Sequence, residues 1–154
     1  MTLVPPDYPA GPLPDIGPFN DGVKASRMRT LQDAPNALRR AVAGLTDQQL
    51  DSTYKNWSVR QIVHHLADSH AHSYLRLKWT LTESQPTIKA YEEGDWAKLP
   101  DCIRGEIQPS LALLDALHRK WLQVLSGMTP EQFERTFHHP QSGQVVSLWS
   151  ALNI

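Results

Sequence analysis

The sequence predicts an all-α fold, a four-helix bundle whose fourth helix is short, and three observations carry that prediction. Segments at about 23–44, 57–83 and 110–126 repeat apolar residues at steps of three and four, the spacing of a helix with one buried stripe. Residues 44–54 (GLTDQQLDSTY) and 127–137 (GMTPEQFERTF) align without gaps, so a helix followed by the same turn occurs twice. Two helix–turn–helix halves related in this way make a four-helix bundle. The length, 154 residues, suits one domain with one apolar core.

Residues 1–20 hold six of the twelve prolines (Pro5, Pro6, Pro9, Pro12, Pro14 and Pro18), which fix φ and remove donors, so they form an extended arm with Tyr8, Ile16 and Phe19 as anchors. The helical domain is then 21–154. Its first helix runs through Met28, Leu31, Leu38 and Val42, with Pro35 expected to kink or split it near Leu31. Gly44 suits the position just past its end. Thr46 with Gln49 opens a short turn through a capping box, and Ser58 with Gln61 opens the second long helix in the same way.

That second helix buries Val59, Ile62, Val63, Leu66, Leu77 and Leu81. Residues 84–108, punctuated by Pro86, Gly94, Pro100 and Gly105, form a long connection that Tyr91 and Trp96 suggest is packed. The third helix places Leu111, Leu114, Leu117, His118, Trp121, Val124 and Leu125 on one stripe. A small hairpin follows near 135–146, with 138–144 as its turn, and Ser147 to Leu152 open a fourth helix.

Fifteen Lys and Arg against sixteen Asp and Glu, with no basic cluster, remove the electrostatic footprint of nucleic-acid binding. Cys102 is the single cysteine, which excludes an intrachain disulfide and a CxxC clip and suits a reducing compartment. With no membrane-length apolar run and no signal segment, the expected setting is the cytoplasm.

Four of the seven histidines, His64, His65, His70 and His72, lie in the second long helix. No two histidines stand four apart, HExxH is absent, and His65 and His72 are separated by roughly 10 Å along the axis, too far to chelate one ion. Periodicity puts His70 on the apolar stripe as a hydrogen-bonded core residue, His64 on the opposite, solvated face, and His65 on the flank beside Asp68 and Ser69. His118 reads as a bonded core residue, and His138 and His139 as a solvated turn. Arg60 and Arg76 are candidates for an anionic substrate against a default of solvated charges. Cys102, in a loop without a neighbouring base, is a weak nucleophile candidate.

The stretch NWSVRQIVHHLADSHAHSYLRLK (56–78), LTExxPxIKxY (81–91) and SLALLxxLHxKW (110–121) closely resemble the YfiT branch of the DinB-like superfamily, over roughly residues 44–152. The resemblance implies a four-helix bundle, usually a homodimer, that holds zinc or nickel through three histidines. One is the histidine directly before Leu in the second helix, here His65; the others form an H-x-x-x-H pair in the fourth helix. It implies a metal-dependent hydrolase, or a transferase that joins a low-molecular-weight thiol such as bacillithiol to an electrophile, acting on a small molecule. The sequence reaches residues 151–154 (ALNI) before any such pair, so the expectation is a fourth helix truncated short of it, with His65 the one ligand present. The residue matching His65 in the internal repeat would be Ile154. The rival expectation is a catalytically inactive, truncated homologue serving at most as a dimerisation or binding module. With the fourth helix short, Leu66, Leu117 and Trp121 are expected to lose cover and leave an apolar groove.

Overall fold

The computed structural model describes residues 15–152. The prolines before residue 15 and Tyr8 lie outside these residues, as do Asn153 and Ile154. Three long helices dominate: α1 (Asp21–Val42), α3 (Val59–Thr82) and α6 (Gln108–Ser126), with α6 packed against both others. Between them come short elements: α2 (Asp47–Leu50), a two-residue hairpin β1 (Thr53–Tyr54) and β2 (Trp57–Ser58), α4 (Glu93–Trp96) and α5 (Pro100–Arg104). After α6 follow α7 (Pro130–Phe133), the antiparallel hairpin β3 (Thr136–His139) and β4 (Gln144–Ser147), and the one-turn α8 (Leu148–Ala151).

Both halves of the internal repeat close with the same chemistry. Thr46–Gln49, Ser58–Gln61 and Thr129–Gln132 each form a complete capping box, and Ser147 caps α8 through the Ser150 N–H. Gly44 takes φ +74°, a left-handed conformation that a side chain would strain. The main core gathers Leu77, Ile88, Trp121, Leu125, Phe133, Phe137, Leu148 and Trp149, with Ile16 and Phe19 packed on it. Trp149 donates its Nε1–H to Gly17 O at 2.8 Å, and Phe19 lies 5.0–5.3 Å from the Trp149 and Phe133 rings. These contacts fix the start of α8. Trp121 and Leu117 stay buried, at 5 % and 8 % exposure, so the expected loss of cover does not reach them.

Pro35 does not split α1, which is unbroken from residue 21 to 42 with Pro35 buried inside it. A proline has no N–H for the carbonyl four residues earlier. That carbonyl, Leu31 O, instead accepts the Nδ1–H of His118 at 2.6 Å, across the α1–α6 seam.

Arg60 is neither solvated nor available to a ligand. It is 4 % exposed, and its guanidinium donates to Asp47, Asp51 and Gly105 O, each at 2.8 Å. One side chain thus ties the first turn of α3 to α2 and to the end of α5. Its two carboxylate partners hold its pKa above the ordinary value. Charge-assisted bonds of this kind are worth roughly 1.5–3 kcal/mol each. Arg60→Met is therefore expected to lower the unfolding free energy by about 2 kcal/mol in urea titration, and Arg60→Lys to recover less than half because it lacks the planar fork. An unchanged midpoint for Arg60→Met would contradict the clamp.

Candidate functional site

Helix α3 has two working faces. Val63, Ala67, His70 and Leu77 turn toward α1 and α6, while positions 65, 68, 69, 72 and 76 share another side, three and four residues apart. The connection 84–107 lies over this second side and is packed, as Tyr91 and Trp96 suggested, but it folds into α4 and α5 rather than a bare loop. Tyr91 stacks on His72 at 4.1 Å between ring centroids and 5° between planes; Trp96 meets both rings at 4.8 and 5.2 Å. Gln61 donates to Ala97 O at 2.7 Å and pins the near end.

The histidines fall into distinct settings. His65 is partly buried with its ring edge-on to the fully buried Trp57, centroids 4.8 Å apart, and forms no hydrogen bond among the described residues. Burial lowers its pKa, so the imidazole is neutral. His64 corrects the expectation of a solvated position: it is 5 % exposed, its Nδ1 lies 2.8 Å from Ser110 Oγ, and its Nε2 is buried without a hydrogen-bond partner among the described residues. The stripe analysis missed this because α5 and the start of α6 cover what would otherwise be an outer face. His138 and His139 are likewise not a turn. They lie in β3, partly buried, and the His138 backbone pairs with Pro86 and Ile88.

His70 and His118 form one buried chain. His118 Nδ1 must carry the proton it gives to Leu31 O, which leaves Nε2 of the neutral ring as an acceptor. His70 Nδ1, 2.6 Å away, then donates to it, and the two rings lie parallel within 1°. Desolvation and the neighbouring His118 and His65 push His70 down to about 4.

Burial also shifts the other groups on this face. Desolvation, helped by Asp101, raises the Asp68 carboxyl to about 6, and it has no hydrogen bond or ion pair among the described residues. Cys102, buried in α5 rather than exposed in a loop, is pushed up to about 12 by burial and by Asp101 and Asp68; it is a protonated core thiol and not a nucleophile. Tyr91 is also pushed up to about 12 by burial and Glu93, so its hydroxyl keeps its proton.

A sequence model described as the DinB superfamily matches residues 30–154. The chain belongs to the DinB superfamily. YfiT of Bacillus subtilis, whose name reads "putative metal-dependent hydrolase", is 40% identical over 156 residues, covering 100% of this chain and 88% of its own. A protein of Bacillus mycoides with the same designation is 42% identical over 139 residues, 89% of this chain and 80% of its own. The solved structure of YfiT, described as a probable metal-dependent hydrolase with an unusual four-helix bundle topology, superposes with a TM-score of 0.91 at 40% identity over 95% of this chain and 85% of that one. The chain therefore has the DinB four-helix bundle, within its YfiT branch.

A DinB protein named for metal dependence raises the question of which residues here could hold the ion. His65 has a neutral ring and, among the described residues, no hydrogen-bond partner, which suits a nitrogen donor. Among the described residues, however, no group of three or more His, Cys, Asp or Glu side chains could hold a metal ion, and α8 carries no histidine. Residues 15–152 thus do not fit a complete centre. The perturbed carboxyl of Asp68 escaped the sequence reading, although its place three residues after His65 was the available signal.

The pKa directions fix the acid behaviour of this DinB fold. Between pH 6.5 and about 4 the folded chain keeps His70 neutral while the unfolded chain protonates it, so stability is lost as pH falls through that window, on the order of 3 kcal/mol. Asp68 acts oppositely: between 3.8 and about 6 the folded chain holds the extra proton, and its contribution is lost as pH rises. Asp68→Asn is expected to steepen the fall in melting temperature on acidification, followed by circular dichroism. An unchanged fall in that variant would show the carboxyl to be unperturbed. At about pH 8, native Cys102 is expected to resist iodoacetamide while the urea-unfolded chain reacts; rapid labelling of the native chain would contradict its burial.

Proposed function

We propose that the chain is a metal-dependent hydrolase domain of the DinB superfamily, acting on a small molecule, with His65 as the metal ligand supplied by its described residues. What carries this reading is the likeness to YfiT, 40% identical across 88% of that protein's length and carrying that designation, together with a neutral His65 that lacks an internal partner. Asp68, on the same face with a carboxyl pKa of about 6, supports the reading as a group able to take or give a proton near neutral pH. The stacked His72 and Tyr91 rings stand further along this face.

Affinity for a metal comes from several pre-positioned donors, so one imidazole gives weak, exchangeable binding. Zinc and nickel titrations by calorimetry are expected to show weak binding to the 154-residue chain that His65→Ala removes. With metal in excess, cleavage of a small ester is expected to exceed that of His65→Ala and to fall in Asp68→Asn. Tight, stoichiometric metal that survives His65→Ala would overturn the assignment of His65. Thiol transfer is the alternative chemistry for the same face, and it would appear as a thiol conjugate instead of the free acid from the same incubation.

A further inference from the structure

Arg76 is the unexplained charge of this molecule. Among the described residues its guanidinium makes no hydrogen bond and no ion pair, and its Nε is buried without a partner. It stands half-buried, and desolvation lowers its pKa against the pull of Tyr91 and Glu93. Glu93 is close enough to be felt but not close enough to pair, and desolvation raises its own pKa. Its Nε–H is shut off from water with no acceptor, and a buried donor left unpaired is unfavourable unless a ligand meets it. Arg60, sixteen residues earlier on the same helix, shows the contrast, since all three of its contacts are protein atoms.

The surroundings of Arg76 are those of a small binding site. It lines a cavity of about 40 Å³ between α3, α6, the β3–β4 hairpin and α8, floored by Trp121, Leu125 and Phe137 with Ser73 beside it. Within electrostatic reach of Arg76 the Tyr91 hydroxyl is buried and keeps its proton; Ser69 lies beside it but not in ordinary hydrogen-bond geometry, so the O–H can turn to a ligand. His139 and His72 lie within electrostatic reach of Arg76, and both are driven toward the neutral form. A planar guanidinium takes carboxylate or phosphate oxygens through parallel N–H bonds. The cavity is well short of the roughly 150 Å³ that admits benzene, so it suits a short aliphatic tail.

We propose that Arg76, with the Tyr91 hydroxyl, is a binding site for the oxyanion of a small molecule, a carboxylate or a phosphate, whose short apolar tail enters the cavity over Trp121. Arg76 lies eleven residues further along the same face of α3 as His65, and the site stands whether or not His65 holds a metal.

The test uses the full 154-residue chain, labelled with 15N, titrated with sodium propionate and separately with inorganic phosphate at constant ionic strength, with chloride as control. The Arg76 Nε–H resonance is expected to shift saturably. A response to propionate that also moves the Trp121 indole marks a carboxylate site with its tail in the cavity; a response to phosphate alone marks a phosphate site. Read on the Trp121 indole and the Ser73 amide, which both variants keep, Arg76→Gln should abolish the response without lowering the melting temperature, because no protein partner is lost, and Arg76→Lys should weaken binding at least about tenfold by removing the fork. A response no different from chloride, or one of equal size in Arg76→Gln, would overturn the proposal. So would a fall in melting temperature for both Arg76→Gln and Glu93→Gln, which would make Arg76 an internal ion-pair partner of Glu93.

Discussion

The carbonyl of Leu31 is the point on which the bundle turns. Pro35 removes the N–H that would have bonded it, in the middle of a 22-residue helix, and the position is buried. A buried carbonyl left without a donor costs about 1–3 kcal/mol, a large fraction of the roughly 5–15 kcal/mol that holds a domain folded. His118 supplies the donor from α6, and His70 on α3 supplies the donor to His118. One defect in α1 thereby becomes a cross-link through all three long helices. It also fixes both tautomers, since only one arrangement of two protons serves a carbonyl at its end. Trp121 stands edge-on to both rings, 6.0 and 6.1 Å away.

This arrangement sets the rotation of α3 and so decides which residues reach the other side. With His70, Val63 and Leu77 held against α6, positions 65, 68, 72 and 76 must face the segment that carries Tyr91, Trp96 and Cys102. That face is where neutral histidine, a carboxyl raised to about 6 and an unpaired guanidinium collect. The core side of α3 spends its polar groups on each other. The outer side leaves them unspent, which is the difference expected between a structural network and a site.

Much of the fold was legible because it is written in local chemistry. Thr46, Ser58 and Thr129, each with Gln three residues later, became capping boxes, and the three periodic stripes became the three long helices. Pro35 misled because its cost was judged locally, while the remedy comes from His118 on α6, 87 residues beyond Leu31. His64 and Arg60 misled for a related reason: their exposure depends on α5 and the α5–α6 join, where Gly105 O and Ser110 sit, and helix periodicity cannot see a neighbour packed on its outer face. The α4 and α5 turns are too short for a periodic signal. Of the site, His65 was legible through family resemblance and its place beside Asp68, whereas the unpaired state of Arg76 is a property of packing that no spacing encodes.

The most direct test of this account is a double-mutant cycle on Pro35 and His118 by urea unfolding. His118→Leu alone is expected to cost about 2 kcal/mol, because it orphans Leu31 O and the His70 Nδ1–H together. In the Pro35→Ala background the helix supplies its own N–H to Leu31, so the same change is expected to cost about 1 kcal/mol less. An identical cost in both backgrounds would show that the proline and the histidine are uncoupled and that the bundle does not depend on the link between them.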